Sequence, residues 1–123
     1  MQLPNLFLHF QVISMAFIDR FVKIKPFHED WKKRLEEVQK LDDEKRLIDI
    51  AKNDPNINVR IAAIEKINDE YFLIDIAQND SNKTARMAAI EKITDKTVLS
   101  GIAKNDSNKT VRLAATERIS NLE

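Results

Sequence analysis

The most regularly spaced polar residues in this chain are aspartates and arginines. Asp54, Asp80 and Asp106 recur every 26 residues, and an arginine, Arg60, Arg86 or Arg112, follows each of them by six. Guanidinium and carboxylate groups form short, charge-assisted and often bidentate hydrogen bonds. Such a row either binds an anion or an acidic partner, or closes on itself as a ladder in which each Asp caps or pairs with an Arg of its own or the adjacent unit. We take the ladder as the reading. It should be interrupted at the N-terminal end, where His28 occupies the Asp place while Arg34 is retained.

A second row runs through Glu65–Lys66, Glu91–Lys92 and Glu117–Arg118. Mixed charges of this kind mark a solvated helix face, or a docking face to which Asn58, Thr84 and Thr110 would also contribute. His28-Glu29-Asp30 is a poor metal site, because consecutive residues on a turn do not converge on one ion as i,i+4 neighbours do. Asp30 is better read as a helix-start cap. Asp42 and Asp43 likewise read as N-cap and first-turn acids favoured by the helix dipole, since acid/base catalysis would need a pocket that separates their pKa values. The chain contains no Cys, which removes disulfides, thiolate metal sites and Cys nucleophiles and fits a reducing, cytoplasmic compartment. No catalytic, cofactor-binding or metal-binding residue is assigned.

These rows are positioned by an internal repeat. LIDIAKND from Leu47, LIDIAQND from Leu73 and LSGIAKND from Leu99 are followed at constant offset by VRIAAIEKI, ARMAAIEKI and VRLAATERI. Units 42–67 and 68–93 share 17 of 26 positions, and units 68–93 and 94–119 share 15. Each unit has room for two helices of about ten residues. Asp43, Asp69 and Asp95 stand at the start of the first helix, and Asn56, Asn82 and Asn108 at the start of the second; both residue types accept from orphan N–H groups. Asn-Asp pairs at 53–54, 79–80 and 105–106 supply the turn.

The second helix is apolar around most of its circumference, through Ile57, Val59, Ile61, Ala63, Ile64 and Ile67. A stripe near Asn58, Ala62 and Glu65 is left for water. Such a helix must lie between neighbours, and the Ala62–Ala63, Ala88–Ala89 and Ala114–Ala115 pairs would let backbones approach. Residues 16–41, containing WKKRLEEVQKL, read as a degenerate N-terminal capping unit, and 94–123 as the third unit with its C-terminal end, all in one domain. Thr116 replaces Ile64 and Ile90, which suits an end face adapted to water. Gly101 replaces Asp49 and Asp75 inside a helix.

Residues 1–15 stand apart, with no Lys, Arg, Asp or Glu. They lack the basic region and cleavage site of a signal peptide and fall short of the roughly 20 apolar residues of a spanning helix. The segment is expected to shield the first unit, to be an extension ahead of Met15, or to support self-association into a homo-oligomer or contact with a membrane.

The Asp-ended turn followed by V-R-x-A-A and an EK-I close resembles the short bacterial HEAT-like repeat, with Trp31 at that pattern's aromatic position. The resemblance covers 42–119 and part of 28–41. It implies an all-α, right-handed α-solenoid of helical hairpins, and it implies the same Asp–Arg ladder. The function expected is a non-catalytic protein-binding or scaffold module. The alternative is an accessory subunit or fragment of a lyase-like or DNA-glycosylase-like HEAT enzyme. With 20 Lys+Arg against 20 Asp+Glu, nucleic acid is not the expected partner; that role would need Lys52, Lys83, Lys104 and Lys109 on one face without interleaved acids.

Overall fold

The computed structural model describes residues 24–123, with side chains from residue 30 onward. These residues are all helical apart from short connections, with no strand among them. The chain divides into two compact units, Met1–Arg34 and Leu35–Glu123. The first contributes to the described residues only the start of α1 (Ile24–Lys40), and residues 1–15, with every expectation placed on them, lie outside.

α1 begins earlier than its sequence pattern suggested. Pro26 sits in its first turn, where a missing N–H costs nothing because that group has no intrahelical acceptor. Asp30 therefore lies inside the helix and caps no helix start, contrary to expectation. The side chain of His28 lies outside the described residues.

Three hairpins follow, α2 (Glu44–Asn53) with α3 (Ile57–Lys66), α4 (Glu70–Asn79) with α5 (Lys83–Ile90), and α6 (Lys96–Asn105) with α7 (Lys109–Leu122). Their starts are fixed by side-chain caps. Asp43 accepts from the N–H groups of Lys45 and Arg46, Asp69 from Tyr71, and Asp95 from Thr97 and Val98. Asn56, Asn82 and Asn108 do the same for the second helices, and every one of these caps has extended backbone. Within the connecting turns, Asp54, Asp80 and Asp106 accept from the N–H of the residue two further on, at 2.8 to 2.9 Å.

Hairpins join mainly through their second helices, since α3 meets α5 and α5 meets α7 more extensively than α4 meets α6. The core repeats with the sequence: Leu47, Leu73 and Leu99 from the first helices, Val59, Ala85 and Val111 from the second, all at most 2% exposed. Of each alanine pair only the inner member, Ala63, Ala89 or Ala115, is fully buried. Ile64 and Ile90 are fully buried, each side chain stabilising the fold by about 1.5–3 kcal/mol. Their counterpart Thr116 is exposed and returns its hydroxyl to the Arg112 carbonyl at 3.0 Å.

Gly101 lies within α6, and a Cβ added there would meet no atom within 4 Å. Gly101→Ala should therefore stabilise the fold by about 1 kcal/mol through helix propensity and reduced unfolded-state entropy. Urea titration of the two proteins checks this.

Candidate functional site

Two Asp–Arg pairs are brought together across units. Arg60 Nη2 donates to Asp80 Oδ1 at 3.0 Å, and Arg86 clasps Asp106 through Nε and Nη2 at 2.9 and 3.1 Å. Arg86 and Arg112 also reach their own turn through the backbone: Arg86 Nη1 donates to the Asp80 carbonyl at 2.8 Å, and Arg112 Nη1 to that of Asp106 at 2.6 Å. One guanidinium thus ties two successive turns. The two rungs differ in completeness, because Arg60 Nε is buried without a partner.

Helix ends are satisfied by a second set of cross-unit bonds whose role the spacing alone did not reveal. Glu44 Oε1 accepts from the N–H groups of Asn68 and Asp69 at 2.7 and 3.0 Å. Glu70 Oε2 accepts from Thr94 and Asp95 at 2.8 and 3.0 Å, and its Oε1 takes the Thr94 hydroxyl. At the opposite helix ends Lys66 Nζ donates to the carbonyls of Val38, Gln39 and Leu41. Lys92 Nζ donates to Glu65 and Ile67 at 2.7 and 2.6 Å, and Arg118 Nε to Ile93 at 2.9 Å. Cations belong at such carbonyl-rich termini. The signal was in the chain, as Glu44 and Glu70 are 26 apart and so are Lys66 and Lys92; what was missing was the neighbour each one serves.

The Glu–Lys row therefore does not form one mixed solvated face. Its cations are half-buried and turned back onto the preceding unit, whereas Glu65, Glu91 and Glu117 are exposed and their carboxylates make no hydrogen bond or ion pair among the described residues. Asn58, Thr84 and Thr110 are exposed too, seven residues before each Glu and so on the same helix face. Ala62, Ala88 and Ala114, half-buried, lie between them.

The first helices form a different surface. Lys52 pairs with Asp75 at 2.6 Å and stands 5.2 Å from the centre of the Phe72 ring. With Arg60, Asn79, Asp80 and Ser81 they line an open groove of about 350 Å³. Lys52 is thus interleaved with an acid, unlike the uniformly basic face that nucleic acid would select. One unit later the corresponding groove has Gln78 and Gly101 in place of the ion pair.

The carboxylates with altered acidity among the described residues all move downward. The Thr94 N–H holds Glu70 below its ordinary 4.5, outweighing burial, with help from the Thr94 hydroxyl and the Asp95 N–H. The Lys52 ammonium, then Asn79, hold Asp75 below 3.8. Burial alone would raise Asp106, but hydrogen bonds from Arg86 and the Asn108 N–H, with the charges of Arg86 and Arg112, bring it below 3.8. Burial lowers the Lys92 ammonium, against the pull of Glu44 and Glu65. Stabilised carboxylates are suited to holding charge, the opposite of the raised pKa that a general acid requires.

Protein-family models, curated proteins and solved structures were each compared with this chain, and none matches it. No helix among the described residues is long and apolar enough to cross a membrane.

Two measurements follow from the geometry. Arg86→Met leaves the Asp106 carboxylate, its side chain 7% exposed, without its guanidinium and should cost about 2–3 kcal/mol. Arg60→Met, which removes a single-point contact, should cost about 1–2 kcal/mol in the same urea titrations. Because Glu70, Asp75 and Asp106 are more acidic folded than unfolded, the stability they contribute is complete above their ordinary values and is lost as pH falls through the lower folded ones. Stability measured from pH 6 down to about pH 2 should decline accordingly, and Asp106→Asn should flatten that decline.

Proposed function

We propose that this chain is a non-catalytic binding or scaffold module of the cytoplasm, a right-handed α-solenoid of HEAT-like hairpins that docks a cation-bearing protein surface along its second helices. The observation that carries this is the separation of charge within the Glu–Lys row. Lys66, Lys92 and Arg118 are spent on backbone carbonyls, and Glu65, Glu91 and Glu117 are left exposed and unpaired. A chain with no net charge thereby presents a locally acidic stripe.

The tighter packing of second helices against each other supports a curved stack with the second helices on the inner side. An inner layer repeats its side chains at fixed spacing, which favours an extended partner read at several successive units. Asn58, Thr84 and Thr110 would supply hydrogen bonds beside each Glu, and the small Ala62, Ala88 and Ala114 would admit close approach.

Affinity capture with the full chain, followed by mass spectrometry, should recover partners whose binding weakens as salt is raised. The triple reversal Glu65→Lys, Glu91→Lys, Glu117→Lys should lose them while keeping its helical circular dichroism. Partners that are retained unchanged by this folded variant would sink the stripe as the interface.

A further inference from the structure

The open face of α7 carries a self-complementary pattern that neither the core nor the second-helix stripe uses. α7 has 14 residues where α3 has 10 and α5 has 8, because Ile119-Ser120-Asn121 stays helical where Ile67 and Ile93 turn out toward the next cap. It is about 21 Å long. Lys109, Arg112, Leu113, Thr116, Ile119 and Glu123 follow one another at intervals of three, one, three, three and four residues, which places them along one side of the helix. Leu113 is 58% exposed, one of two large apolar side chains so exposed among the described residues. Ile119 is half-buried where its counterparts Ile67 and Ile93 are fully buried.

Arg112 adds a directional element. Its Nη1 is fixed on the Asp106 carbonyl, as Arg86 Nη1 is on Asp80. The Nε and Nη2 donors that Arg86 gives to Asp106 have no acceptor on Arg112 among the described residues. Basic residues lie in the first half of this face and the acid at its end. Two such helices meeting antiparallel about a two-fold axis at Thr116 would set Leu113 against Ile119 and Lys109 against Glu123, with Arg112 about one helical turn from that carboxylate.

We propose that this face joins two copies of the chain tail to tail, α7 against α7, as an isologous interface. A second copy fits better than an unrelated helix because the apolar pair and the charge pair are both completed by the same pattern reversed. The bond between Lys96 and Glu123, 3.6 Å long with both side chains about half or more exposed, is weak enough to exchange for it. One helix pair buries less than a standard interface, so the dimer forms at high protein concentration.

Sedimentation equilibrium of the full chain from about 1 μM to about 1 mM, spanning weak affinities, should show a monomer–dimer equilibrium. Leu113→Lys should weaken it at least tenfold, and Leu113→Ser severalfold, with unchanged circular dichroism because the side chain is exposed. Lys109→Glu and Glu123→Lys should each weaken it, and together restore it, since the exchange recreates the opposed charges. Monomer at every concentration, association that both Leu113 variants leave unchanged, or a double variant no tighter than the single ones would each overturn the interface.

Discussion

Short helices are mostly ends, and that constraint governs this molecule. A ten-residue helix leaves four N–H groups at its start and four carbonyls at its finish without intrahelical partners. Stacking three such hairpins brings many of those groups against protein. The chain meets the need with charged side chains that cross from one unit to the next. Glu44 and Glu70 accept from the N–H groups that open the following unit, and Lys66, Lys92 and Arg118 donate to the carbonyls that close the preceding one. Each unit is therefore finished by its neighbour. A hairpin separated from the stack would lose apolar burial and would also leave its helix termini uncapped, which couples the folding of adjacent units.

The same arrangement redistributes charge. Counted along the chain, units 42–67, 68–93 and 94–119 carry formal charges of −1, −2 and +2, which nearly cancel. On the second helices, Lys66, Lys92 and Arg118 are turned into helix ends and Arg60 and Arg86 into turn rungs, while Glu65, Glu91 and Glu117 stay outside. Asp80 and Asp106 are neutralised by Arg60 and Arg86, and Asp75 by Lys52. The carboxylates of Glu65, Glu91 and Glu117 form no such ion pair among the described residues. Local surface charge thus follows from which charges the backbone consumes, and net charge is a poor guide to it.

This explains which parts of the molecule were legible in its residues. Hairpins were legible because their punctuation is local: Asp43 or Asn56 caps a helix within three residues of itself, and Leu47 or Val59 announces burial by its period. The start of α1 was not, since Pro26 resembles a breaker yet is tolerated in a first turn. The pairing of Arg60 with Asp80 and of Arg86 with Asp106 spans 20 residues and depends on how units stack. An Asp six residues before an Arg leaves open which Asp that Arg will hold. Lys66 and Lys92 are visible as repeated residues on a solvated or docking face, but not as caps of the preceding unit, because helix periodicity says where a side chain starts and a lysine stem is long enough to end elsewhere.

Departures from the repeat are informative because they come in matched sets. Lys52 and Asp75 face each other across one first-helix junction, and at the next junction Gln78 and Gly101 replace both together. Replacing Asp75 alone would leave an ammonium without its counter-charge, whereas replacing both costs an exposed pair of small value. The third unit changes in the same concerted way. Lys96 stands where Glu44 and Glu70 accept, and an ammonium cannot accept from an N–H group. Thr116 replaces the buried Ile, and α7 runs past the point where α3 and α5 stop. A surface that had merely lost its neighbour would keep the acceptor, the isoleucine and the helix length of the units before it. All three are exchanged here, so the α7 side does not carry the set of groups that joins the units before it.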